Sequence, residues 1–162
     1  MAKNYNGVQI NPSATIVEKA GAEIADVRNR IVKFDENGAV VLAAAGTDIP
    51  VGIAIIEAGY NDISGVEAGK AVIGDDIDIV IKDMSVVLAG GSIKKGQEIA
   101  AGADGLAVAA AGGDYVLGFA LDNAEADEFV PVQISKFQKS GSAASSEEST
   151  EEGEENTETG TD

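Results

Sequence analysis

The chain has 162 residues, 44% of them apolar, with no cysteine and no histidine. That length supports one domain with appendages. The missing residue types exclude disulfides, thiolate nucleophiles, Cys/His metal centres and histidine acid–base chemistry. The 28 acidic against 11 basic residues give a net charge of −17, which repels phosphate backbones and anionic lipid, so neither nucleic acid nor membrane is expected as a partner.

The apolar residues themselves report a fold class. There are 16 Val and 16 Ile against 5 Leu, with 20 Gly. β-branched side chains fit a pleated sheet, and glycine supplies tight turns, so the expectation is an all-β protein with a small barrel-like or sandwich-like body. Aromatic residues are 4% of the chain, which leaves little material for stacking bases or sugars. No run of about 18 apolar residues is present. The polar start, residues 1–11, lacks a signal peptide's apolar stretch, so synthesis in the cytoplasm is expected.

Composition divides the chain into three parts. Residues 1–20 are polar and aperiodic, with scattered apolar side chains at Tyr5, Val8, Ile10, Ile16 and Val17, and read as an extended arm. Residues 21–138 alternate short apolar runs with Gly, Asp and Asn and read as the folded body. Residues 139–162 are rich in Ser, Thr, Gly and Glu; from Ser140 onward they hold eight acids and no base. Such a segment cannot bury enough apolar surface to offset its ordering entropy, and disorder is expected there.

Within the body, residues 39–43 and 51–56 are apolar runs separated by Gly46, Thr47 and Asp48, and are expected to form a hairpin. Residues 76–82 alternate, with Ile77, Ile79 and Ile81 on one side and Asp76, Asp78, Val80 and Lys82 on the other. Further strands are expected at 86–88, 97–101, 106–110, 115–121 and 129–135. There is also an echo. Asn37, Gly38, an apolar run to Gly46, Asp48 and residues 51–55 match Asp104, Gly105, a run to Gly112, Asp114 and residues 117–121, about 66 positions on. One β-unit used twice, with the copies packed together, is the expected meaning.

Motifs for chemistry fail on inspection. Gly65, Gly69 and Lys70 lack the spacing and the following hydroxyl of a phosphate loop, and read as a turn. Asp75, Asp76 and Asp78 lead into an alternating strand instead of curling around calcium. Asp122, Glu125, Asp127 and Glu128 read as a solvated loop. The cadence from Lys82 to Ile99 is similar to part of a biotinyl or lipoyl carrier domain, but Lys82 lacks the flanking residues that present the carrier lysine. The expectation is therefore a protein without catalytic residues, cofactor or metal.

The opening Met1, Ala2, Lys3, Asn4 and Tyr5, the Val32–Gly38 turn, Pro50–Ala54, the Ala89–Gly96 turn, and the closing Val116–Leu121 with Phe129–Ile134 resemble the capsid decoration, or head cement, proteins of tailed bacteriophages. The resemblance spans about residues 1–137. It implies a structural virion protein on the outer surface of the expanded capsid, with the major capsid protein as partner, stabilising the shell by bridging its subunits. It also implies a homotrimer. The arm residues Tyr5, Val8 and Ile10 and the basic pair Arg28 and Arg30, read as neighbours on one face of a strand, are the expected capsid or subunit contacts. The competing reading is an adhesive or carbohydrate-binding module displayed on the head.

Overall fold

The computed structural model describes residues 13–55 and 69–141. They form an all-β structure of ten strands and one 3₁₀ turn. The strands are β1 (Thr15–Lys19), β2 (Ile31–Phe34), β3 (Val40–Leu42), β4 (Gly52–Ala54), β5 (Asp76–Val80), β6 (Met84–Leu88), β7 (Glu98–Ala101), β8 (Ala107–Ala109), β9 (Tyr115–Ala120) and β10 (Phe129–Gln138). The 3₁₀ turn is Ala103–Gly105.

Two open antiparallel sheets result, in the orders β1-β5-β4-β2-β3 and β6-β10-β9-β7-β8. The second order is the first advanced by five strands, so the echo in the sequence is a duplicated five-stranded unit. The likeness reaches individual hydrogen bonds. A parallel bridge joins Ala20 to Val40 and another joins Ala89 to Ala107; an antiparallel bridge joins Ile24 to Ala71 and another joins Ile93 to Ala124. Before β4 the carboxylate of Asp48 accepts the amide of Ala45, and before β9 that of Asp114 accepts the amide of Ala111. These are local side-chain caps of the kind Asp favours at turns.

The expected hairpin between residues 39–43 and 51–56 is corrected. β2, a four-residue strand too short to show its period, lies between β3 and β4. The hairpin is instead β2–β3. Its turn is fixed by Asp35, whose Oδ1 accepts the amides of Asn37 and Ala39 at 2.8 and 2.9 Å, and by Gly38 at φ 79°. The end of the expected arm also differs. Thr15–Lys19 is the edge strand of the first sheet, paired with β5, and its inward side chain Ile16 packs on the core.

Each sheet has a front covered by its own loops. In the first repeat Val32, Val40, Ala54, Ile77 and Ile79 pack under Ala20, Ile24, Val27 and Ala71. In the second, Ile99, Ala107, Ala120, Val130 and Val132 pack with Ala89, Ile93 and Ala124. The centre of the back of the first sheet is apolar as well: Ile31 pairs with Ile53, and Ile53 with Val80. These three side chains join the core cluster of the second repeat. Ile31 and Ile53 are fully buried there, each worth about 1.5–3 kcal/mol relative to exposure. Hydrogen bonds lock the same junction: Leu88 N donates to Asn29 O (2.9 Å), Gly105 N to Ala43 O (2.7 Å) and Tyr115 N to Gly46 O (2.7 Å).

Gly52 and Gly118 occupy equivalent places in β4 and β9, where neighbouring backbone comes too close for any side chain. A Cβ would overlap Val80 O in the first repeat and Gln133 O in the second. Both carbonyls belong to fixed strands, so relief requires the sheet to part. Gly52→Ala and Gly118→Ala are each expected to cost about 3 kcal/mol, the upper end of overpacking. Gly91→Ala, which meets nothing within 4 Å, should change stability by less than about 0.5 kcal/mol. Urea unfolding of the three variants measures this.

Candidate functional site

The two repeats meet along an open groove of about 580 Å³. One wall comes from the loop after β1 and from β3: Glu23, Ile24, Asp26, Arg30 and Leu42. The other comes from the second repeat: Asp104, Leu106 and Asp127. Asp104 and Asp127 hold positive φ, 55° and 67°, in loops that the fold pins on both sides: Gly105 N binds Ala43 O and Asp127 N binds Ala89 O.

Arg28 and Arg30 do not share a strand face. Arg28 and Asn29 form a turn, with Asn29 at φ 57° and Arg30 N bonded to Val27 O at 3.3 Å. The turn sends the two guanidinium groups to different partners. Arg28 grips Asp26 in a bidentate pair, Nε to Oδ1 at 2.9 Å and Nη2 to Oδ2 at 2.8 Å. That bond holds the Asp26 carboxyl below its usual range and the Arg28 guanidinium above its own. Arg30 lines the groove, where Nη1 reaches the Asp104 carbonyl at 3.4 Å and Nε is buried without a hydrogen-bond partner. Tyr5, Val8 and Ile10 lie outside the described residues.

Among the described residues the groove thus carries four carboxylates and one guanidinium, and none that line it bears an aromatic ring, hydroxyl or amine. It suits binding of polar or cationic groups; a nucleophile paired with a base is not among the lining residues. Among the described residues no group of three or more acidic, His or Cys side chains is placed to hold a metal ion. Asp75 and Glu128 instead cap their own loops, accepting the amides of Val72 and Glu125, while Asp76 pairs with Lys19. β5 and β6 fall in different sheets, so Lys82 sits in the link between repeats and not at the tip of a carrier hairpin.

A second polar anchor lies away from the groove. Desolvation favours the neutral form of Asp48, yet its bond to Lys33 Nζ (2.7 Å) and the amides of Ala44 and Ala45 outweigh it and lower its pKa. In the sequence Asp48 has the look of loop punctuation, and its match with Asp114 is the signal that marks it. Burial lowers the pKa of Lys136, whose Nζ donates to Val51 O at 2.7 Å and so ties β10 to the first repeat.

Comparison with known proteins places the fold. No family model matches the chain, and no curated protein does. Among solved structures it is similar to the crystal structure of the head fiber gp8.5 N base in bacteriophage phi29, with a TM-score of 0.53 and 22% identity over 75% of this chain and 92% of that one. The two share a fold.

The depressed carboxyl of Asp48 sets a pH dependence. A group whose folded pKa lies below its unfolded value of about 3.8 stabilises the protein above that pH and loses its contribution as pH falls through the folded value. The contribution of Asp48 is therefore complete at pH 7, begins to fade as pH falls past about 3.8 and is gone only below the lower, folded value. Asp48→Ala is expected to lose about 1–3 kcal/mol at pH 7 and less at pH 3. Thermal unfolding of both proteins at the two pH values measures the difference.

Proposed function

We propose that this chain is a structural protein of a tailed-phage head, seated on the outer surface of the expanded capsid and stabilising it by bridging neighbouring capsid subunits. The observation that carries the reading is the two-repeat all-β fold, which extends over nine-tenths of a head fiber base. The decoration-protein resemblance in the sequence points to the same location independently. Binding of this kind needs a stable surface repeated over a lattice, where many weak contacts add up, and no reaction chemistry.

In this reading the arm supplies the shell contacts through Tyr5, Val8 and Ile10, adding main-chain hydrogen bonds to an exposed strand edge of a neighbour. Arg30 is the better placed of the basic pair to meet an acidic group, since Arg28 is already neutralised by Asp26. The trimeric state belongs to the same proposal. The acidic tail is repelled by packaged DNA and projects away from the shell. The adhesive alternative gains nothing from the groove, whose lining offers a sugar no ring to stack on.

Co-sedimentation with expanded, undecorated heads and with unexpanded proheads of the same phage tests the proposal. Saturable binding to expanded heads is expected. Binding to neither shell would overturn it. Deleting residues 1–13 is expected to weaken binding at least about tenfold while leaving the far-ultraviolet circular dichroism unchanged; undiminished binding would remove the arm from the account.

A further inference from the structure

A second cavity, of about 340 Å³, opens on another part of the seam between the repeats. The first repeat contributes Ile49 and Pro50; the second contributes Tyr115, Lys136, Phe137 and Gln138. Two bonds hold the sides together: Tyr115 N donates to Gly46 O and Lys136 Nζ to Val51 O, both at 2.7 Å. The chain has three Tyr, four Phe and no Trp, and two of these scarce aromatic residues line this one cavity. The Phe119 ring stands 5.8 Å from that of Phe137. A largely apolar cavity at a junction, with a few polar groups, is the usual build of a small-molecule site.

A bulge places the cation. Ile134 faces Gly118 and Phe137 faces Val116, so Ser135 and Lys136 of β10 stand against the single residue Leu117 of β9. Bulges of this kind re-aim side chains and gather beside functional sites. Lys19, Lys33, Lys70 and Lys139 each pair with a carboxylate, whereas Lys136 meets only the Val51 carbonyl among the described residues. Its ammonium is partly desolvated and keeps two donors for a ligand. Gln138 lies opposite Tyr115 in the ladder. Its Nε2 donates to Gly113 O at 3.2 Å, which leaves Oε1 to accept. The Tyr115 hydroxyl has no hydrogen bond among the described residues.

We infer that this cavity binds an acidic sugar, a pyranose ring that carries a carboxylate, with the carboxylate on Lys136 and the apolar face of the ring against Tyr115 and Phe137. Charge selects the anion. An ammonium that has lost part of its water, and that no carboxylate balances, forms a strong charge-assisted hydrogen bond with one. The remaining polar groups select a sugar over an aromatic or alkyl acid. Gln138 Oε1 takes a donor, which sugar hydroxyls supply and those acids lack. Aromatic side chains bury apolar surface against the C–H face of such a ring, and the Tyr115 hydroxyl meets its polar edge. The site does not depend on the capsid reading, and a head protein can hold both roles.

The test is amide chemical-shift mapping of the nitrogen-15-labelled full chain, titrated with glucuronate, glucose and benzoate at constant ionic strength. Glucuronate is expected to shift the amides of Ile49, Tyr115 and Gln138 saturably, and glucose and benzoate to bind at least about tenfold more weakly. Lys136→Met keeps the stem and removes the charge, and is expected to weaken glucuronate binding at least about tenfold. Because that change also removes the bond to Val51 O, Ile49→Asp serves as a second variant. It sets a carboxylate on a rim position that is 65% exposed, leaves the Lys136 bond in place, and is expected to weaken binding at least about threefold. Circular dichroism checks that both fold. No saturable shift from glucuronate, glucose or benzoate binding as tightly, or undiminished binding by either folded variant overturns the inference. If the cavity instead receives an acidic side chain of the shell, glucuronate fails to bind while Lys136→Met weakens co-sedimentation with heads, and that result overturns it as well.

Discussion

The structure depends on one constraint: the first sheet carries buried apolar side chains at the centre of both faces, and its own loops cover only one. Ile31, Ile53 and Val80 on the back are buried because the second repeat lies against them. Exposing those side chains would cost several kcal/mol in total, comparable with the whole stability of a small domain. The two repeats are therefore one cooperative unit in spite of having separate sheets. The groove exists because two units of the same shape meet along this junction, and its Asp104 loop is held in place by bonds that cross it.

The same dependence explains where the two copies diverge. Both keep the front-face core, the bridges, the Asp cap before the fourth strand and the glycine that lets two strands close up. They differ on the back. The first repeat carries Ile31 and Ile53 where the second carries Glu98 and Phe119. One back had to be dry, and the other was free to take up a role at the surface. A duplicated unit in this way supplies a rigid body with one spent face and one available face.

Much of this was legible in the residues. The Val and Ile excess specified the class, alternation located β5, and the matching Asn37–Gly38 and Asp104–Gly105 turns marked the repeat. Three features were hidden, each for a physical reason. β2 spans four residues, too few for period two to register, so the hairpin was assigned to the wrong pair. β1 has mixed polar and apolar residues because it is an edge strand with only Ile16 and Glu18 turned inward, and it read as arm. Arg28 and Arg30 have the spacing of a strand face, but Asn29 takes a left-handed conformation that Asn tolerates, and the turn separates them. The groove drew no attention because its walls come from loops far apart in sequence, which only the stacking of repeats unites.

A head protein that bridges capsid subunits must contact more than one of them from outside. Cryo-electron microscopy of expanded heads saturated with this protein tests that claim most directly. The account predicts density for the two-sheet body on the outer surface, touching at least two capsid subunits. Density on the inner surface, or a body that touches a single subunit, would contradict it.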